Sequence, residues 1–215
     1  MDVERLRREA ETPTLAGPGD LDAVVDDLSD SFAGDRMFEW FLRSDSRRDA
    51  GRRRFFDELL RVVGRDKMRI DRPAHGGAAA VWLPFEAVGP VPLIEELRLA
   101  PMILAATGLS RVGRLLALQN ALESRHPKRP PHAYLWFLGV RREAQGRGIG
   151  SCLLRVACRR LDAARMPAYL ETQNERNVAL YRRHGFEVTS EFHARRDSPP
   201  MWTMWREARP LEGTA

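Results

Sequence analysis

WFLGVRREAQGRGIG, residues 136–150, followed at once by SCLLRVACRRL, residues 151–161, is the stretch whose reading decides the fold. Trp136–Val140 holds only apolar residues and glycine, the pattern of a strand covered on both faces. Gln145–Gly150 then places Gly146, Gly148 and Gly150 at alternate positions, so the backbone can turn tightly and approach a ligand with no Cβ in the way. Ile149, Cys152, Leu153, Val156 and Leu161 continue at near-helical spacing, which predicts that the loop opens into the N-terminus of an amphipathic helix. A helix start carries unpaired N–H groups and the positive end of the helix dipole. The stretch therefore predicts an anion site, with phosphate as the expected guest.

The 215-residue chain is 43% hydrophobic, enough for one domain with a substantial core and too little for a second independent one. Its net charge of +5 rests almost wholly on arginine, since Lys67 and Lys128 are the only lysines. No basic run interleaves with aromatics, so arginines on solvated faces explain the charge better than nucleic-acid binding, and no specific nucleic-acid partner is expected. The densest run, Arg52–Arg54, leads straight into Phe55, Phe56, Leu59, Leu60 and Val63, one face of a helix. Cys152 and Cys158 lie on one predicted helix, too far apart along its axis to be bridged, which fits buried thiols in a reducing compartment. The five histidines show no metal-ligand spacing, so no metal is expected. MDVERLRREAE at the N-terminus is charged where a secretory leader is apolar, and no apolar run reaches the length of a membrane span. The expectation is a soluble cytoplasmic protein without a membrane partner.

Taken in order, residues 1–19 read as a frayed arm or a short first strand, and Asp20 is placed to cap a helix carrying Leu21, Val24, Val25, Leu28 and Phe32. Phe38, Trp40, Phe41 and Leu42 crowd together as a plug between helices or as a ligand wall, before a second helix from about Arg47 to Val63. Met68–Ile70 and Ala78–Leu83 predict a hairpin turning at Pro73–Gly77. A helical insertion follows over about 84–131, with a break expected at Pro101 and a further helix capped by Ser110. Beyond the glycine loop, Ala168–Leu170 predicts a short strand ending in Glu171, and ETQNERN a polar turn. Val178–His184 predicts a brief helix stopped by Gly185, and Phe186–His193 with Met201–Arg206 a strand pair.

Three phosphate loops compete for residues 145–151. A Walker loop requires Lys and Ser/Thr after its last glycine, and Gly150 is followed by Ser151 and Cys152. Gly146, Gly148 and Ser151 nearly satisfy a dinucleotide fingerprint, with Glu171 at about the position of a ribose-binding acid. That fold needs further strand–helix units, and the chain after Glu171 is too short for them. The remaining pattern, Q/R-x-x-G-x-G/A, is met by Gln145, Gly148 and Gly150.

At this point the sequence resembles the GCN5-related N-acetyltransferase (GNAT) superfamily. The second block, Leu170–Asn177 through Tyr181-Arg182-Arg183-His184-Gly185-Phe186, resembles that family's in order and spacing. WLPF at 82–85, the helical insertion, and PPMWTMWR at 199–206 resemble the puromycin-acetyltransferase-like branch. The resemblance implies an α/β (α+β) fold in which a mixed, largely antiparallel central sheet is flanked by helices, the acetyl-CoA-binding half lying at 132–206. It also implies acetyl-CoA as co-substrate. The N–H groups of Arg147, Gly148, Ile149, Gly150 and Ser151, in the loop begun by Gln145 and Gly146, would take the pyrophosphate. The strand edge at Leu138, Gly139 and Val140, with Asn177, would hold the pantetheine arm, and Arg141, Arg142 and Arg147 would add charge.

Amine acylation needs a neutral amine and a proton for the departing thiolate. A phenol with a pKa of about 10 stays protonated beside a thiol of about 8.5, and the place of Tyr181 in the resembling block, four residues after Asn177 and just before Gly185-Phe186, implies that it is the leaving-group acid. Glu171 is the first candidate for the base, with Glu86 and His132 behind it. Phe38, Trp40, Phe41, Trp82, Trp202 and Trp205 are candidate walls for a small-molecule or peptide amine, and Asp35 or Glu39 candidates to attract its ammonium form. The alternative is a non-catalytic acyl-CoA sensor. A homodimer is compatible with either reading.

Overall fold

The apolar run at 136–140 forms the end of β4 (Ala133–Val140), the middle strand of a seven-stranded sheet. The structure is a computed structural model and describes residues 2–64, 67–87 and 93–209. Residues 88–92 of the expected insertion and 210–215 of the tail lie outside the described residues. The other strands are β1 (Thr14–Leu15), β2 (Arg69–Arg72), β3 (Ala78–Pro84), β5 (Ala168–Thr172), β6 (Glu187–His193) and β7 (Pro200–Arg206). Their order is β1-β2-β3-β4-β5-β7-β6, and every neighbouring pair is antiparallel except β4 and β5. This is the expected mixed, largely antiparallel sheet.

Helices cover both faces because strand alternation sends side chains to both. On one face Ala78, Ala80, Leu135, Leu170 and Met204 pack under α1 (Val3–Glu11), α7 (Ile149–Ala163) and α8 (Glu175–Arg183). On the other, Ile70, Ala79 and Val81 meet α2 (Leu21–Ser31), α3 (Arg36–Phe41), α4 (Arg48–Glu58), α5 (Leu93–Thr107) and α6 (Val112–Glu123). A ring cluster holds that second layer: Phe38 stacks on Phe56 at 5.3 Å and meets Phe55 edge-on at 5.6 Å, while Phe137 of β4 meets Phe56 at 5.1 Å. Phe38 and Phe41 thus belong to the core, not to a ligand wall.

Several local expectations are corrected. Residues 3–11 are helical, because Asp2 caps them through the Arg5 amide at 3.0 Å and Leu6 and Ala10 bury against α7; the helical spacing of Val3, Leu6 and Ala10 was a signal that the sequence reading passed over. Asp20 does stand at the N-cap position of α2, but its side chain accepts from the Gly17 amide at 2.8 Å and pairs with Arg72 and makes no cap bond to the helix. Pro101 lies inside α5 without ending it, and Ser110 sits in a 3₁₀ turn, Leu109–Arg111, that precedes α6 without a side-chain cap. α8 starts at Glu175, inside the stretch read as a turn. Among the described residues, no single helix is long and apolar enough to cross a membrane.

The ladder between β4 and β5 is interrupted part-way along. β4 and β5 pair only at Ala133–Leu135 with Ala168–Leu170. From Phe137 to Val140, β4 is paired with β3 alone, so the sheet opens between β4 and β5 beyond Leu135 and Leu170. α2 presses on this part of β4: a Cβ on Gly139 would stand 2.7 Å from Leu28 Cδ2 and 2.8 Å from Ser31 Oγ, so a larger residue there would require those two side chains to move.

Candidate active site

Beyond β4 a 3₁₀ turn, Arg142–Ala144, delivers the chain to the glycine loop. Gly146 and Gly148 take φ of +76° and +80°, and a Cβ at either would meet nothing within 4 Å. They are glycine for backbone conformation and not for room. Gly148 is the N-cap of α7, and Gly150 already lies in its first turn. A Cβ on Gly150 would rest at 3.6 Å from Leu138 and 3.7 Å from Val140, ordinary contact, so the third glycine is not a turn residue as expected. Cys152 is the first α7 amide bonded to a carbonyl one turn back, Gly148 O at 3.0 Å. The amides of Ile149, Gly150 and Ser151 precede it and have no such acceptor, which is the anion-binding geometry of a helix start. Gln145 Nε2 donates to Val140 O at 2.9 Å and Ser31 O at 3.3 Å, bracing the loop against β4 and α2.

Of the three arginines expected to add charge, two are neutralised. Arg141 pairs with the buried Asp27 at 2.6 Å, and Arg142 with Asp30 at 3.1 Å. Arg147 is exposed and has no carboxylate partner among the described residues.

α8 approaches the same opening. Asn174 caps it, its side chain accepting from the Arg176 amide at 3.0 Å, so Asn177 is not the cap but a half-buried residue of the first turn. One turn on, Tyr181 is 5% exposed and packs among the residues under which Leu135 and Leu170 lie, with Phe186 edge-on at 5.9 Å. Burial raises its phenol above the ordinary value of 10.0, so it holds its proton at neutral pH. Gly185, at φ +87°, ends the helix.

Glu171 lies on the opposite face. Alternation along β5 sends Leu170 toward α7 and α8, and Tyr169 and Glu171 the other way. Tyr134 of β4 and Tyr169 are register partners, and Glu171 follows where β4 departs. Burial pushes the Glu171 carboxyl up to about 7, although the Tyr134 and Tyr169 phenols favour its charged form. Tyr169 Oη is buried without a closed hydrogen bond. Behind the phenols, His132 Nδ1 donates to Pro130 O at 2.8 Å, so its Nε2 accepts from His126 Nε2–H at 3.1 Å. Both rings are neutral: burial lowers both, His126 to about 4. His132 also meets Tyr169 at 5.8 Å and Trp205 at 5.2 Å. With both ring nitrogens engaged, His132 is poorly placed to be a base, and Glu86 is exposed on the 3₁₀ turn after β3. Tyr134, Tyr169 and His126 were missed by the sequence reading. The phase of Tyr169, two residues before Glu171, was the available signal.

At the mouth on this face, Asp35 caps α3 and accepts from Gln173 Nε2 at 2.6 Å, with its carboxyl raised by burial. Glu39 is exposed and paired with Arg48 at 3.2 Å, a solvated face. Trp40 Nε1 donates to Asp197, Trp202 Nε1 to Glu191 and Trp205 Nε1 to Glu207. Trp82 is buried on the α7 side of the sheet.

A left-handed glycine loop thus opens α7 beside an interrupted β4–β5 ladder. Residues 99–186 match the acetyltransferase (GNAT) family. The match takes in the glycine loop, α7, β5 and α8 through Phe186, and with the sheet order it supports the GNAT superfamily. The fold is similar to that of "histone acetyltransferase HPA2 and related acetyltransferase" from Corynebacterium glutamicum, at a TM-score of 0.67 and 23% identity over 93% of this chain and 98% of that one. It is also similar to the C-terminal condensation domain of Ebony in complex with beta-alanyl-dopamine, at 0.63 and 11% over 91% and 97%. A third likeness is mosquito arylalkylamine N-acetyltransferase like 5b, at 0.56 and 12% over 91% and 98%. At these identities the likeness concerns the fold alone.

Proposed function

We propose that this chain is a single-domain, acetyl-CoA-dependent N-acetyltransferase acting on the primary amine of a small molecule or peptide by direct transfer in a ternary complex. One observation carries the reading: the opening between β4 and β5 has the start of α7 and Tyr181 on one side and Glu171 on the other. The free amides of α7 and the exposed Arg147 suit the donor's pyrophosphate. The unpaired edge of β4 at Leu138–Val140, with Asn177 opposite, suits the two amides of its pantetheine arm. The thioester would then lie in the opening itself.

In this reading Glu171, with a carboxyl near 7, takes the proton of the incoming ammonium as the amine attacks the thioester carbonyl. Tyr181, kept protonated by burial, gives its proton to the departing thiolate, and the second proton shed by the acylated nitrogen restores the phenol through solvent. The two groups act from opposite faces, so acid and base do not quench each other. Asp35, beside Gln173 at the mouth, would draw in a cationic acceptor. Within the superfamily, WLPF at 82–85 and PPMWTMWR at 199–206 favour the puromycin-acetyltransferase-like branch. The free, buried Cys152 and Cys158 favour a reducing, cytoplasmic setting. The test is CoA-thiol release from acetyl-CoA across a panel of aryl, alkyl and peptide amines. Turnover with at least one is expected; tight acetyl-CoA binding with no release from any amine would contradict an enzyme and leave a sensor.

A further inference from the structure

We propose that His184, acting through Ser151, is a positioning residue for the phosphates of the donor, a role that rests on the acetyl-CoA reading above. Ser151 Oγ lies 2.8 Å from His184 Nε2, a contact between residues 33 apart in sequence. Ser151 is in the first turn of α7, among the amides without acceptors, and is half-buried. His184 is the C-cap of α8, its amide bonded to Tyr181 O at 2.9 Å and its carbonyl accepting from Arg206 Nε at 2.8 Å. The ring is thus fixed at the junction of α8 and β7 and reaches across to α7.

The contact has two proton arrangements, and a phosphate selects between them. With the hydrogen on Ser151, the hydroxyl donates to the ring and turns lone pairs toward the helix start, which repels an anion. With the hydrogen on His184 Nε2, the ring donates to Ser151 Oγ and the hydroxyl hydrogen is free to donate to a phosphate oxygen. Only the second arrangement adds a bond to the bound anion, so the anion shifts the population toward it. The groups facing the ring are Arg155 of α7, Arg183 of α8 and Arg206 of β7, which with burial hold it neutral in the free protein. A protonated ring would still donate through Nε2, so either charge state serves the anion. The same contact ties the phosphate end of the donor site to the helix that carries Tyr181.

The test measures CoA and pantetheine binding by calorimetry in the wild type, His184→Phe, His184→Gln, Ser151→Ala and the double variant His184→Phe/Ser151→Ala. Pantetheine carries the same arm and thiol without the phosphates. His184→Phe and Ser151→Ala are each expected to weaken CoA about tenfold, the double variant no further, and pantetheine not at all. His184→Gln, whose amide can donate in place of Nε2, is expected to recover most of the loss. In turnover, KM for acetyl-CoA should rise about tenfold while kcat moves by less than about twofold. Unchanged CoA affinity in His184→Phe, additive losses in the double variant, or an equal loss for pantetheine would overturn the proposal. Wild-type protein that fails to bind CoA would overturn the donor assignment itself, which is a different result from a variant that binds like wild type.

Discussion

Replacing Glu171 with glutamine tests the environment of the base without relying on any substrate. The folded protein holds this carboxyl at about 7, against 4.5 for an ordinary glutamate, chiefly because burial disfavours its charge. Between those values the folded state keeps a proton that the unfolded chain has released, so stability falls as pH rises through the window. With one pKa unit equal to about 1.4 kcal/mol, Glu171 alone removes about 2.5 kcal/mol of stability between about pH 5 and about pH 8. Glutamine cannot ionise and keeps the shape and the contacts with Tyr134 and Tyr169. Urea denaturation at the two pH values should therefore show the unfolding free energy of Glu171→Gln gaining about 2.5 kcal/mol on the wild type as pH rises. Wild-type kcat/KM should climb with pH to a plateau above about 7, and the variant should be slower by roughly 100-fold or more, with that limb gone. A stability difference that stays constant with pH would refute the buried, neutral-poised carboxyl and remove the ground for Glu171 as base.

Tyr181→Phe should keep acetyl-CoA affinity and lose about 10- to 100-fold in kcat, read in single-turnover kinetics; full turnover would remove Tyr181 from the chemistry. Tyr169→Phe removes a phenol that favours the Glu171 anion, so the apparent pKa in the rate profile should move up. A downward or absent shift would count against the tyrosine as a partner of the base. Gly148→Ala forces a side chain to φ +80° and should cost roughly 1–2 kcal/mol with weakened CoA binding, whereas Gly150→Ala should change little; melting and CoA titration separate the two.

The features legible in the sequence were those fixed by neighbouring residues. The apolar run at Trp136–Val140, the glycine spacing after Gln145 and the Gly185 stop each dictate their own backbone, whereas the mixed, largely antiparallel sheet was expected only from the family resemblance, and its strand order came from the structure. Gly150 was misjudged because a glycine in a helix turn looks the same in sequence as one in a loop. α1 was missed although Val3, Leu6 and Ala10 keep helical spacing behind the Asp2 cap; the docking on α7 that stabilises it lies more than a hundred residues away in the chain. The surroundings of Glu171 depend on which β4 residue stands beside which β5 residue. That parallel register juxtaposes Tyr134 and Tyr169, and no local pattern encodes it. The His126–His132 contact likewise depends on how the end of the insertion folds back over β4.

The start of α7 and the unpaired edge of β4 are proposed to form an acetyl-CoA site. Thermal melting with acetyl-CoA, NADH and ATP supplied separately tests it most directly. A ligand present at about a hundred times its dissociation constant stabilises by about 2.7 kcal/mol, a rise of several degrees for a domain of this size. That rise is expected with acetyl-CoA, and little or none with NADH or ATP. Stabilisation by NADH without stabilisation by acetyl-CoA would contradict it.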